Sequence, residues 1–270
     1  MPYTIRNLIT TEGGSASYEK RLSICLVADG FSFAETTTDG VLLTFGEVTG
    51  RHAATMTDAA REVKSCFAEA GIRPLGYKQM ELIMMSDESV WVPDELYSSL
   101  SNRQYMRLVG SEALLLMTCR SRELASTAVF AAAEHLAMAF KVALPGLVVI
   151  NQHAKLASLA PCSVAHPVLV CHWRKGRVDV AALQDGRYIY GNTLSYRNAD
   201  DALFHLVEVM KGYGLERSDT ELKLCGDVDR DIYARMRPYF PSVTLYTGNH
   251  TSFLNPEFKS LHTYKNALIL

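Results

Sequence analysis

The sequence of 270 residues lacks the features that mark secreted, membrane-spanning and nucleic-acid-binding proteins. Its start, MPYTIRNLITTEGG, has neither a basic region nor a continuous apolar run, which argues against a secretory signal. The most apolar stretch, residues 131–150, is interrupted by Glu134, His135, Lys141 and Pro145, so we expect no membrane span. The formal net charge is −2 and no long basic run is present. We therefore expect no nucleic-acid partner.

Short motifs of common enzymes are also missing. The chain contains no Gly-x-Ser-x-Gly elbow and no Gly-x-x-x-x-Gly-Lys loop, and the pair Glu134-His135 has no second histidine four residues later. Four potential metal ligands do lie within eleven residues, namely Cys162, His166, Cys171 and His172. Adjacent residues of a strand point to opposite faces, and no Cys-x-x-Cys pair is present, so we expect no metal site there.

The cysteines indicate an intracellular setting. All six lie far apart, mostly in apolar runs such as LSICLVA and ELKLCG. This distribution is typical of buried thiols in a reducing cytoplasm. Hydrophobic residues make up 48% of the chain and charged residues 21%, which is the balance of a globular protein with one large or two medium domains.

The residues after position 20 predict an antiparallel meander. A buried strand is followed by Asp29-Gly30, a second strand ends at Asp39-Gly40, and a third strand comes next. Asp-Gly pairs favour type I′ turns, in which both central residues have positive φ. A helix with Thr57 as its N-cap and Gly71 as its stop, and a strand over residues 79–86, complete the unit.

Additional elements follow in the first half. Residues 90–132 predict a short strand VWV, a helix opened by Pro93, and two strands in SEALLLMT and LASTAVFAA. A helix over residues 134–144 and a strand over residues 147–151 come last. We interpret residues 90–132 as an insertion.

The second half repeats the order and spacing of the strands and turns predicted for the first half. Strands are separated by turns at Lys175-Gly176 and Asp185-Gly186, and each turn lies 146 residues after its counterpart. A helix, a strand, a helix and a strand follow, so that this half reads β-β-β-α-β-α-β. The matched spacing predicts an internal duplication with one half in residues 1–160 and the other in residues 161–270.

A duplicated unit of this kind resembles the actin-like ATPase fold of actin, Hsp70 chaperones and sugar kinases. In that fold, two ribonuclease-H-like halves face each other across a nucleotide cleft. The phrase RLSICLVADGFSFAE, the segment VWVPDELY and the short second half are similar to an uncharacterised bacterial family of unknown function, distantly related to actin-like pilus and secretion assembly proteins. The resemblance covers nearly the whole chain, mainly in element order. It implies an α/β fold of two β-β-β-α-β-α-β halves around a cleft.

The resemblance also implies where a nucleotide site would lie. In the catalytic members, an Asp-x-Gly-[Ser/Thr] turn in each half holds phosphates, and carboxylates organise Mg²⁺ and water. Here the first turn reads Asp29-Gly30-Phe31-Ser32, the second turn Arg174-Lys175-Gly176-Arg177 has no acid, and a Gly-Gly pair beside adenosine is reduced to Gly226. The cleft residues implied are Asp29, Gly30, Ser32, Lys175, Gly176, Arg177 and Gly226.

Two functions stay open. The departures from the pattern favour a non-catalytic binding or scaffolding protein of the bacterial cytoplasm, without a cofactor, which binds an unidentified protein or further copies of itself. The alternative is an ATPase or small-molecule kinase that uses ATP and Mg²⁺. In that case Asp29 would be the acid, Ser32 and Gly30 the phosphate contacts, Lys175 and Arg177 the charge clamps, and Gly226 the adenosine neighbour. Fold analogy does not decide between them.

The charges of the second turn have three interpretations. If the two hairpins oppose each other, Asp29 faces Arg174, Lys175 and Arg177, and the pairing holds the halves together weakly. The cations could instead bind an anion without a metal, or keep an exposed hairpin tip in solution.

Two apolar features near the end of the chain predict packing. Tyr188 and Tyr190 are two apart in a strand, so we expect them to share a face and to pack in the core or between the halves. The stretch NPEFKSLHTYKNALIL ends in four apolar residues, which we expect to pair with a sheet edge or to fill a groove. Whether that groove belongs to this chain or to a partner stays open.

Overall fold

A computed structural model describes residues 3–11, 19–27, 29–51, 53, 55–122, 124–159, 166–246, 252–253 and 255–270. The predicted boundary between the halves, after residue 160, lies outside these ranges, and so does Cys162. Among the described residues, no helix is long and apolar enough to cross a membrane.

Strands and helices alternate along the chain. The strands are β1 (Thr4–Thr10), β2 (Lys20–Val27), β3 (Gly30–Thr37), β4 (Val41–Thr49), β5 (Tyr77–Met84), β6 (Ser89–Pro93), β7 (Leu116–Ser121), β8 (Ser126–Ala131), β9 (Val148–Asn151), β10 (Val168–Arg174), β11 (Arg177–Gln184), β12 (Arg187–Ser195), β13 (Glu221–Gly226), β14 (Ser242–Leu245) and β15 (Ser252–Phe253). The α-helices are α1 (Met56–Glu69), α2 (Asn102–Leu108), α3 (Glu134–Ala143), α4 (Gln152–Leu159), α5 (Ala199–Gly212) and α6 (Arg230–Met236).

Two large sheets have the same strand order. The first runs β1-β4-β3-β2-β5-β9, with β15 paired to β4, and the second runs β12-β11-β10-β13-β14. When β1 and β15 are set aside, the hairpin strands are antiparallel in both sheets and the last two strands are added in parallel. This is the predicted β-β-β-α-β-α-β order in each half. The gene duplication that we infer from it stays a prediction.

The inserted elements form a third sheet in the order β6-β8-β7, with α2 packed on it. Several boundaries differ from the prediction. Pro93 ends β6 and opens no helix, since α2 begins only at Asn102. The cap of α1 is Thr55 rather than Thr57, because the Thr55 side chain accepts the backbone N–H of Asp58. Strand β1 and helix α4 were not predicted.

Three apolar clusters hold the sheets and helices together. One lies between the first sheet and helices α1 and α3, where the rings of Phe31, Phe67 and Phe140 meet. Another lies between the second sheet and helices α5 and α6. The third fills the space between the two large sheets and includes residues 267–270. The apolar end of the sequence therefore fills a groove of its own chain.

Candidate functional site: the cleft between the two sheets

An open cleft of about 1330 Å³ lies where the carboxyl ends of β2, β5, β10 and β13 meet. This edge of a parallel pairing is where ligands commonly bind in α/β proteins. Two of the predicted site residues, Asp29 and Lys175, line the cleft. Its opposite wall belongs to the inserted unit and the start of α3, and includes Leu114, Leu115 and Leu136.

Other predicted residues border a second cavity. Ser32 and Gly226 line a space of about 440 Å³ that shares Arg174 and Asp227 with the larger cleft. Gly30, Gly176 and Arg177 belong to the neighbouring hairpins but line neither of these two spaces. The structure thus places two of the seven predicted residues in each of two adjoining cavities and the other three in neither.

Two of the predicted glycines are required by close backbone contacts. Gly30 has φ +148°, and a Cβ there would lie 2.0 Å from the carbonyl oxygen of Val48. A Cβ on Gly226 would lie 2.3 Å from the carbonyl oxygen of Trp173. The first hairpin is therefore not the predicted type I′ turn, because Gly30 is the first residue of β3 and is held against β4.

An ion pair crosses between the two halves with a different acid from the one predicted. Asp87, which follows β5, accepts hydrogen bonds from Arg174 at 2.9 Å and from Arg177 at 3.2 Å. Asp29 is exposed and forms no ion pair among the described residues. The cations Arg174 and Arg177 thus contact the opposite half as expected, but Asp87 takes the part assigned to Asp29.

Arg174 is also held by a buried carboxylate of its own sheet, that of Asp179. Arg174 donates two hydrogen bonds to Asp179, from Nε at 2.8 Å and from an Nη at 2.8 Å. Asp179 also accepts from Thr193 Oγ1 at 2.7 Å, pairs with His172 Nδ1 at 3.2 Å, and lies 3.4 Å from Gln152 Nε2. Asp179 is inaccessible to solvent, so this set of contacts supplies the compensation that a buried charge needs.

The charges of this cluster depend on its hydrogen bonds. Burial alone would raise the pKa of the Asp179 carboxyl, but hydrogen bonds from His172 and Arg174 outweigh burial and hold that pKa below its ordinary range. Burial acts to lower the pKa of Arg174, but Asp179 and Asp87 raise it. The cluster therefore contains a stable carboxylate and a stable guanidinium.

A neutral part of the network ties the cluster to the first half. The Gln152 side chain, at the start of α4, accepts the backbone N–H of Ser86 at 3.0 Å and donates to the Ser86 carbonyl oxygen. The next residue, His153, lies 3.3 Å from Thr193 Oγ1 and 3.2 Å from Asn151 Oδ1 through its two ring nitrogens. Burial lowers the pKa of His153 despite the nearby charge of Asp179, so the ring is neutral at pH 7.

Sequence reasoning missed most of this network. Asp179 carried a signal, because an acid in the middle of the apolar strand RVDVAAL must be either exposed or paired. Gln152 and His153 follow a strand in sequence but lie on a helix that the pattern did not reveal. Asp87 carried no signal at all.

The residues around the cleft do not form a recognisable metal site. Within the part of the chain that the structure describes, no group of three or more His, Cys, Asp or Glu side chains is placed to hold a metal ion. Among the residues that the structure describes, five cysteines are buried thiols, as predicted, namely Cys25, Cys66, Cys119, Cys171 and Cys225. Burial raises the pKa of Cys25 to about 12, so its thiolate is absent at neutral pH.

Comparison with solved structures identifies the fold. A Bacteroides thetaiotaomicron protein with an actin-like ATPase fold and unknown function has a TM-score of 0.69 at 17% identity, covering 94% of this chain and 96% of that one. A chain of the PilM–PilN type IV pilus biogenesis complex has a TM-score of 0.53 at 13% identity, covering 92% and 95%. The ethanolamine utilization protein EutJ from Carboxydothermus hydrogenoformans has a TM-score of 0.50 at 10% identity, covering 94% and 90%.

These similarities confirm that the chain has the two-lobed actin-like ATPase fold. No curated protein matches it in sequence. A family model does match, over residues 14–243, which is most of the chain. The chain therefore belongs to the family of proteins of unknown function DUF3822.

Proposed function

We propose that this protein is a non-catalytic actin-like binding module of the bacterial cytoplasm, which works through contacts with another protein and does not use Mg-ATP. The observation that carries the proposal is the state of Arg174. Its guanidinium is bound through Nε and Nη2 by the carboxylates of Asp179 and Asp87, so its charge is already balanced without a phosphate group. Arg177 is likewise paired with Asp87.

The charges that remain in the cleft oppose a triphosphate. Three lining carboxylates, Asp29, Glu88 and Asp227, form no ion pair among the described residues. Lys175 is a cation that lines the cleft together with these three carboxylates. A triphosphate would meet like charges at close range, which costs free energy unless metal ions compensate. This supports the view that the nucleotide site is degenerate.

The apolar wall and the size of the cleft support a polypeptide ligand. Leu114 and Leu115 are 75% and 52% exposed on the cleft wall. A volume of about 1330 Å³ exceeds the 300–1,000 Å³ that is usual for small-molecule pockets. The solved PilM–PilN complex contains a chain of similar fold and is an association of two proteins. By analogy, we assign the same class of activity, protein binding, to this chain.

Thermal unfolding with and without millimolar Mg-ATP tests this proposal. A ligand that binds the native state at about 100 times its dissociation constant adds about 2.7 kcal/mol of stability, which is readily seen as a shift in Tm. We expect no shift with Mg-ATP, Mg-ADP or inorganic phosphate. A shift in the wild-type protein that disappears in Lys175→Ala would overturn the proposal and would favour the nucleotide-dependent enzyme instead.

A further inference from the structure

A group of large apolar side chains is exposed on the inserted unit, away from the buried clusters. Leu96, Leu100, Leu108 and Val109 are 69%, 95%, 79% and 49% exposed. They lie just before, on and just after α2, and we call them, together with the charged residues beside them, the α2 surface. The Tyr105 hydroxyl of α2 donates a hydrogen bond to the Leu96 carbonyl oxygen, so Leu96 lies beside the helix. Exposed apolar patches commonly mark an interaction site.

The α2 surface is preformed. The Tyr105 hydroxyl on α2 donates to the Leu96 carbonyl oxygen at 2.8 Å and accepts the Ser98 backbone N–H at 2.9 Å. The Tyr97 and Tyr105 rings are stacked with centroids 6.1 Å apart. Met106, on the other face of α2, is buried. The leucines are thus presented by a fixed helix and turn, and little ordering would be needed on binding.

The exposed charged residues of the α2 surface balance in sign. Arg103 and Arg107 are exposed and four residues apart, so they lie on the same face of α2. Glu95 and Glu112, beyond the two ends of the apolar residues, are exposed as well. None of these four residues forms an ion pair within the described ranges. The surface carries two charges of each sign, and a two-fold axis could place each arginine of one copy near a glutamate of the other.

We infer that the α2 surface is the contact between two copies of this chain in a symmetric homodimer. A neutral, self-complementary patch fits a second copy better than a partner of one charge sign, which would leave two like charges opposed. The inference is independent of the ligand of the cleft, because the Arg174 cluster and the α2 surface share no residue. A failure of either proposal leaves the other standing.

Sedimentation velocity measures the oligomeric state directly. At concentrations up to about 100 µM, where even a weak homodimer is populated, we expect the wild-type protein to sediment with twice the chain mass of 30.0 kDa. The double variant Leu100→Glu and Leu108→Glu should be monomeric. Leu75→Glu is the matched control, because Leu75 is 85% exposed but lies outside the α2 surface. This control should remain dimeric.

Charge reversal provides a test that a folding defect cannot imitate. The variant Arg103→Glu/Arg107→Glu has only acids around the leucines, and the variant Glu95→Arg/Glu112→Arg has only bases. Each alone should be monomeric, and an equimolar mixture should form a heterodimer with at least a tenfold lower dissociation constant than either variant with itself. A monomeric wild-type protein at the highest concentration, or a mixture that does not associate, overturns the inference.

Discussion

Arg174 and Asp179 form a two-point hydrogen-bonded ion pair at 2.8 Å, within one strand hairpin and with the carboxylate fully buried. The pair connects the second sheet to the first, because the same guanidinium reaches Asp87. An isolated charge in this position would be strongly unfavourable. The stability of the interface between the halves should therefore depend on Asp179.

Replacing Asp179 with asparagine should destabilise the protein by about 3 kcal/mol, because the change leaves the Arg174 charge without its buried partner. Denaturant unfolding at pH 7 measures the loss. Asp185→Asn is the control, since Asp185 is exposed in a turn at φ +51°, which asparagine also adopts. Equal stability of the two variants would show that the cluster is not a determinant of the fold.

Asp87→Asn should have a small effect on stability but a clear effect on anion binding. Asp87 is 49% exposed, so its ion pairs stabilise by no more than about 1 kcal/mol. Removal of its charge, however, frees Arg177 and one side of the Arg174 guanidinium, next to Lys175, which lines the cleft. We expect pyrophosphate to raise the Tm of the variant and to leave that of the wild-type protein unchanged. If pyrophosphate shifts the Tm of neither protein, Asp87 is not what prevents Arg174 and Arg177 from binding a phosphate.

Gly30→Ala should destabilise the first hairpin severely, by about 3 kcal/mol or more, because a Cβ meets the Val48 carbonyl oxygen at a positive φ. Gly76→Ala separates the two causes. Gly76 has φ +93°, but a Cβ added there would have no atom within 4 Å, so only the backbone conformation is penalised, by about 1 kcal/mol. Similar unfolding free energies for both variants would argue against the close contact.

The free energy of unfolding should decrease when the pH is lowered below about 6.5, because of His153. Burial lowers the pKa of its ring, so protons bind more strongly to the unfolded chain, whose histidine has the ordinary value of 6.5. The contribution of His153 to the free energy of unfolding is therefore fully present above pH 6.5. It decreases as the pH falls below that value, by up to about 1.4 kcal/mol per pH unit for one proton. Asp179, with its lowered pKa, loses its contribution only below its ordinary value of 3.8.

Chemical denaturation at pH 7.5, 6.0 and 5.0 checks this dependence. His153→Gln should flatten the curve over this range. His262→Gln should not, because His262 is exposed. A wild-type protein whose stability is constant between pH 7.5 and 5.0 would contradict the assignment of a lowered pKa to His153.

Much of the fold could be predicted because local patterns agree with it. The Asp185-Gly186 turn has positive φ at both residues, at +51° and +70°, as the dipeptide indicates. Helix α5 begins after Asn198, whose side chain accepts the N–H of Asp201. Such signals act over a few residues and can be read from the sequence without the tertiary structure.

The features that escaped prediction depend on register or on distant contacts. Tyr188 and Tyr190 were expected to share a face, but the register of β11 and β12 shifts between Ala182 and Leu183. Tyr188 therefore packs with Trp91 of the inserted sheet, while Tyr190 packs with Tyr213 beside α5. The Asp87 contacts join residues about ninety positions apart, which no local pattern encodes.

Helix α4 has a consequence for motion. It contacts β5 and β9 of the first sheet and β10, β11 and β12 of the second. Rotating one lobe away from the other would pull Gln152 either from Ser86 of the first lobe or from Asp179 and Thr193 of the second, and would admit water to the fully buried Asp179 carboxylate. The two lobes should therefore move as one rigid body. A ligand would enter the cleft without a hinge motion of the lobes, and only side chains at the edge of the cleft would change conformation.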